Sequence, residues 1–151
     1  MVPLDGSELA ECVIPHMEAI AAGCRVTEVV LTRVVDPAGL PVSVPARGEF
    51  GFREKDREQM EANRKNAAQK YLKGIANTLK MPEAEIHYTV LEGKIAESLA
   101  DFAEINNVDL ILIASHGRSG VSRWVLGSVA ERILRSSCVP VLMVRAPGCE
   151  V

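Results

Sequence analysis

The chain has 151 residues, 48% hydrophobic and 25% charged, with 17 basic and 20 acidic side chains for a formal charge of −3. This is one domain's length with an ordinary globular composition, and its mixed, mildly acidic charge gives no reason to expect nucleic acid as a partner. Its apolar runs are too short to span a membrane, and Asp5, Glu8 and Glu11 come too early for a signal peptide, so the expectation is a cytoplasmic protein with no membrane partner.

Residues 1–5 read as the end of a first strand, followed by the turn Asp5-Gly-Ser7. Ser7 is placed to cap a helix with the apolar stripe Leu9, Cys12, Val13, Met17 and Ile20. Pro15 either kinks that helix or starts its main part at Ile14, and Gly23 is expected to close it. His16 has no carboxylate or cysteine paired with it by spacing and reads as a packing or surface imidazole. Residues 26–35 are β-rich and form the second strand. Residues 36–53 hold Pro37, Pro41, Pro45, Gly39, Gly48 and Gly51, which exclude regular structure. Such a long connection is either a lid over a site or a plain surface excursion, with Phe50 and Phe52 as an apolar foot.

Residues 54–80 read as a long helix, buried along Met60, Ala67, Ala68, Tyr71, Leu72, Ile75, Ala76 and Leu79 and ended by Pro82. Residues 86–91 alternate as a third strand. Glu92-Gly93 turns the chain into a helix with Ile95, Leu99, Phe102 and Ala103 facing inward, closed by Asn106-Asn107. Residues 108–114 are the fourth strand. A helix from Gly127-Ser128 carries the apolar positions Val129, Ile133 and Leu134. Residues 139–144 are the fifth strand, and 146–151 a frayed tail. The four cysteines, at 12, 24, 138 and 149, make neither a Cys-x-x-Cys pair nor a metal site with histidine. Reduced thiols are expected, with Cys12 and Cys138 packed and Cys149 on the tail.

Strand and helix thus alternate through a single α/β domain covering 1–151, which demands a parallel sheet with helical crossovers. Ligands of open parallel sheets sit beyond the carboxyl ends of strands, where the strand order reverses. Polar punctuation follows two strands closely: Asp5-Gly-Ser7 after the first and Ser115-His-Gly-Arg-Ser-Gly120 after the fourth. If those strands are neighbours, both segments face one crevice.

The stretch Leu110-Ile-Leu-Ile-Ala114, then a Gly- and Ser-rich loop, then a helix start makes a phosphate cradle, because loop and first-turn N–H groups lack partners of their own. It is not a P-loop, a dinucleotide fingerprint or a nucleophile elbow. Ser128 has two readings. Ser128-Val-Ala-Glu131 fits a capping box worth roughly 1 kcal/mol, or the Ser128 hydroxyl with the N–H groups of Ser128 and Val129 holds phosphate. Arg118 and Arg123 could add charge, and Trp124 packs the loop or lies in a subunit interface.

On Pro3-Leu-Asp5-Gly-Ser7, Val34-Val-Asp36, Glu92-Gly93, Ser115-His-Gly117, Gly127-Ser128-Val-Ala-Glu131 and the closing Val139-Pro-Val-Leu-Met-Val144, the sequence resembles the universal stress protein family over essentially its whole length. The resemblance implies a doubly wound, Rossmann-like five-stranded parallel sheet of order 3-2-1-4-5, of the adenine nucleotide alpha hydrolase-like type. It also implies a homodimer paired through the last strand, from Val139 to Val144.

The family's ATP-binding branch carries the pattern Gly-x2-Gly-x9-Gly-Ser/Thr, which aligns here as Ala114, Gly117, Gly127 and Ser128. By that resemblance Pro3, Asp5 and the backbone around Val34 hold the adenine and ribose end, and Ile113, Ala114 and His116 lie by the ribose. Gly117, Gly127, Ser128 and Val129 hold the phosphates of ATP or AMP with Mg²⁺. Ala114 stands where the pattern has glycine. If that position is extended, a methyl group is tolerable; if φ is positive, it brings strain. The first strand is also shorter than the family norm. The implied function is a homodimeric nucleotide-dependent switch or sensor in stress response, the alternative being a nucleotide-free dimeric module of the same fold. His116 and Asp5 could position water or a metal, but no base–nucleophile pair marks a catalytic site, and the resemblance implies at most feeble ATP hydrolysis.

Overall fold

A computed structural model describes residues 1–36, 54–115 and 127–145, with the side chains of 54–56 left out of account. The lid or excursion expected at 37–53, Trp124 with its neighbouring arginines, and the tail with Cys149 lie outside these residues.

Among the described residues ten elements follow one another in the expected alternation: β1 (Val2–Pro3), α1 (Glu8–Glu11), α2 (Ile14–Cys24), β2 (Glu28–Val35), α3 (Glu54–Thr78), β3 (Glu85–Glu92), α4 (Ile95–Ile105), β4 (Ile111–Ala114), α5 (Ser128–Ser136) and β5 (Val141–Val144). All strand pairings are parallel, β1 with β2, β2 with β3, and β4 with β5. The two groups of strands join through Met1, whose nitrogen donates to the Leu110 carbonyl at 2.8 Å and whose carbonyl accepts from the Leu112 N–H at 3.0 Å. These bonds set β1 beside β4, so the strands run β3-β2-β1-β4-β5. Among the described residues no helix is long and apolar enough to cross a membrane.

Side-chain alternation along the strands sorts the core into two layers. Val29 and Leu31 of β2 and Leu112 of β4 pack with Val13, Met17 and Leu72 of the α1–α3 side. Ile111 and Ile113 pack with Leu99, Ala103, Ala130 and Ile133 of α4 and α5. Leu72, Leu99, Ile111 and Ile133 are fully enclosed, each contributing about 1.5–3 kcal/mol by burial. The sheet is covered on both faces, hence the near-continuous apolar run of β4.

Several sequence expectations shift. Pro15 starts α2 at its first turn rather than kinking it, where its missing N–H costs no hydrogen bond. That helix runs through Gly23 and closes instead at Arg25, in the left-handed region at φ 53°, with its N–H on the Ala21 carbonyl. At α4 the ending falls on the expected asparagines. Asn107 is left-handed at φ 51°, its N–H bonds the Glu104 carbonyl, and the Val108 N–H bonds the Ala103 carbonyl, which is a Schellman ending. Val108 therefore belongs to the helix stop, and β4 starts only at Ile111. Ala67, Ile95 and Leu134 are exposed rather than inward. Cys138 is exposed too, while Cys12 is half-buried.

Candidate functional site

The carboxyl ends of β1, β2 and β4 and the start of α5 surround a cavity of about 470 Å³. It lies where the strand order reverses between β1 and β4, the position that open parallel sheets reserve for ligands. Pro3 and Asp5 line it from β1 and the following turn, Val34 from β2, and Ile113 and Ala114 from β4. Gly127, Ser128 and Val129 close it from the start of α5. Eight of the ten residues assigned to the site from sequence are thereby brought together. The other two, His116 and Gly117, lie outside the described residues.

The β1–α1 turn is a short hydrogen-bonded unit. Asp5 Oδ1 accepts from the Ser7 N–H at 2.9 Å and from the Ser7 hydroxyl at 2.6 Å. The Ser7 oxygen in turn accepts from the Ala10 N–H at 3.2 Å and caps α1. Gly6, between them, sits at φ 86°, a conformation that an L side chain rarely adopts.

The Arg33 guanidinium lies against this turn, at the edge of the cavity. A Cβ on Gly6 would fall 2.9 Å from Arg33 Nη1. The same guanidinium carbon lies 5.0 Å from the centroid of the Tyr71 ring, within cation–π range. The Tyr71 hydroxyl donates to Glu11 Oε1 at 2.7 Å. Burial pushes the Tyr71 phenol well above its ordinary range, the bond to Glu11 and its charge push further, and Arg33 opposes them. Arg64 lines the cavity from α3, with Nη1 3.5 Å from the Asp36 carbonyl.

At the opposite wall α5 begins with Gly127 as N-cap, and no side chain among the described residues caps it. The capping-box reading of Ser128 is therefore not realised: Ser128 is the first helical residue, and it is exposed. Gly127 donates its N–H to the Ser115 carbonyl at 2.9 Å, which ties the helix start to the end of β4. The first N–H groups of a helix have no intrahelical partner, so this end offers backbone donors and a positive dipole to an anion. Ala114 is an extended strand residue, and the non-glycine positive φ angles of the described residues occur only at Arg25 and Asn107. Its methyl group therefore sits without backbone strain.

Thr32, Arg33, Arg64 and Leu99 also line the cavity, and sequence reasoning did not single them out. Arg33 and Thr32 are adjacent on β2 and belong to opposite faces of the sheet, so the cavity wraps the sheet's end rather than one face. Strand periodicity could have flagged Arg33, a charged residue on the face that carries Leu31. Nothing in the sequence said what stood opposite it.

A model of the "Universal stress protein family" matches residues 1–145. The chain is 33% identical over 150 residues to universal stress protein MJ0531 of Methanocaldococcus jannaschii, covering 99% of this chain and 83% of that one. The solved structure of MJ0577, also from M. jannaschii, superposes with a TM-score of 0.82 at 26% identity, covering 97% of this chain and 94% of that one. A family member from Arabidopsis thaliana, solved with AMP bound, shares the fold with a TM-score of 0.65 at 13% identity, covering 98% of this chain and 91% of that one. With the same doubly wound sheet and a family match from end to end of the described residues, this chain belongs to the universal stress protein family.

Proposed function

We propose that the protein binds ATP at the β1/β4 crevice and acts as a homodimeric, nucleotide-dependent switch in a stress response in the cytoplasm. The observation that carries this reading is the convergence of Asp5, Val34 and Ala114 with the uncapped start of α5 around one cavity. The cavity has the size of a small-molecule site. Asp5 supplies an acceptor for sugar hydroxyls, the strand end at Val34 supplies backbone groups for a base, and α5 supplies N–H donors for phosphate. That a relative of the same fold was solved with AMP supports an adenine nucleotide as the ligand.

Mg²⁺ fits this site only as a companion of the phosphates. Among the described residues no three His, Cys, Asp or Glu side chains gather into a metal site, and Asp5 and Asp36 are the acidic groups in the lining. Dimerisation through the last strand is supported by β5 itself. It pairs on one side with β4 and leaves Leu142 42% exposed, an apolar edge of the kind that proteins cover.

The test is to release any bound small molecule from freshly purified protein by heat, identify it by mass spectrometry, and titrate the emptied protein with Mg·ATP and with AMP. Bound nucleotide, or micromolar affinity for ATP, is expected. No ligand and no binding near millimolar ATP would overturn the reading in favour of a nucleotide-free dimeric module.

A further inference from the structure

We propose that Arg33 is a positioning residue for the nucleoside end of the site, its guanidinium over the Tyr71 ring and close to Gly6 so that the Asp5-Gly6-Ser7 turn is held where Asp5 meets the ligand. This deepens the nucleotide reading above and rests on it.

Short elements flank the turn. β1 is two residues long, and α1, which follows the turn, has only four. Neither element is long enough to be stable on its own. Two ties to α3 compensate. At one end of the segment Arg33 is pressed onto Gly6 and faces Tyr71. At the other end Glu11 accepts the Tyr71 hydroxyl bond at 2.7 Å. Gly6, Arg33, Tyr71, Glu11 and the Ser7 cap thus form a closed ring of contacts around the start of α1.

Two features of the ring require the residues found there. Gly6 is needed for its φ of 86°, and its missing Cβ leaves room for the Arg33 guanidinium. Arginine is needed because a broad, planar guanidinium can stack on an aromatic ring while reaching a neighbouring turn, which a lysine ammonium, a compact point charge, cannot. Arg33 also belongs to the cavity wall, so the clamp is part of the surface whose shape it sets. It acts on Asp5 through the turn, at the wall opposite the start of α5.

This asymmetry defines the experiment. Adenosine probes the Asp5 end, and inorganic tripolyphosphate probes the α5 end, each titrated calorimetrically into wild type and variants. Arg33→Gln should weaken adenosine about tenfold and tripolyphosphate clearly less, through the lost charge alone. Arg33→Lys should restore little of the loss. Tyr71→Leu should reproduce it, and Tyr71→Phe, which keeps the ring, should show a smaller effect. In the Asp5→Asn background Arg33→Gln should add nothing further, because two residues acting through one contact are not additive. Exchange of the Ser7 amide, which donates to Asp5, should quicken in Arg33→Gln.

Wild-type adenosine affinity in Arg33→Gln, equal weakening of both probes, or simple addition with Asp5→Asn would each overturn the proposal. If wild type binds neither probe, the nucleotide reading fails, and the Ser7 exchange rate still decides whether Arg33 holds the turn: an unchanged rate overturns the clamp as well.

Discussion

The Ser7 hydroxyl donates to Asp5 Oδ1 at 2.6 Å while its oxygen accepts from the Ala10 N–H at 3.2 Å. One side chain therefore caps α1 and orients the carboxylate that lines the cavity. Stability and binding meet at this pair. Ser7→Ala is expected to cost about 1 kcal/mol as a lost N-cap, lowering Tm by about 2–4 °C for a chain of this length, and to weaken nucleotide binding by loosening Asp5. Thermal unfolding alongside an ATP titration checks both; a loss of stability with untouched affinity would detach Asp5 from its partner.

Ser128 separates the two functions that Ser7 combines. Because Gly127 is the N-cap of α5 and no side chain among the described residues caps it, Ser128→Ala should leave stability within about 0.5 kcal/mol, as at ordinary exposed positions. ATP affinity should fall, with AMP affected less. A clear drop in Tm with unchanged affinity would restore the capping role.

Ala114 stands where the related pattern has glycine, yet it is an extended residue of β4, paired with Val144. Ala114→Gly should therefore give no gain in ATP affinity. It should cost roughly 0.5–1 kcal/mol, because glycine loses more conformational freedom on folding. Markedly tighter binding in a calorimetric titration would show that the methyl group obstructs the ligand.

Thr32 is completely enclosed, and its hydroxyl finds no hydrogen-bond partner among the described residues. A buried unpaired hydroxyl costs about 1–3 kcal/mol, and valine has nearly the same shape. Thr32→Val should raise the free energy of unfolding in urea by about 1 kcal/mol. A destabilised variant would mean that the hydroxyl has a partner after all.

Tyr71 predicts an alkaline limit to stability. Its phenol is held above the ordinary value of 10.0 by burial and by Glu11. Above pH 10 the unfolded chain loses this proton before the folded one does. The folded state then binds more protons, and stability falls as pH rises. This contribution is fully present below pH 10 and declines above it. Tyr71→Phe should flatten the decline between pH 10 and 12 in denaturant melts; an equally steep decline would assign it to other groups.

Local chemistry made much of this fold legible. Ser7 capped a helix as expected, because a serine ahead of an apolar stripe satisfies an orphan N–H wherever the rest of the chain lies. Pro15 and Asn106-Asn107 marked a helix start and a helix stop for equally local reasons. The expectations that failed concern competition between local and tertiary forces. Gly23 was the better stop by propensity, yet α2 continues to Cys24 and is capped by Arg25. Val108 was apolar enough for a strand, but the α4 ending claimed its N–H.

The site divides in the same way. Periodicity and punctuation in the sequence by themselves determined a parallel α/β domain with polar segments after its first and fourth strands, because strand and helix periods and turn residues act within a few neighbours. Only the tertiary structure decided that β1 and β4 lie side by side, through the bonds of Met1 to Leu110 and Leu112, and that Arg33 meets both Tyr71 and Gly6. Alternation along a strand tells which face a side chain takes. What stands opposite that face is set by contacts between residues 27 and 38 positions apart or more, and no local pattern records them.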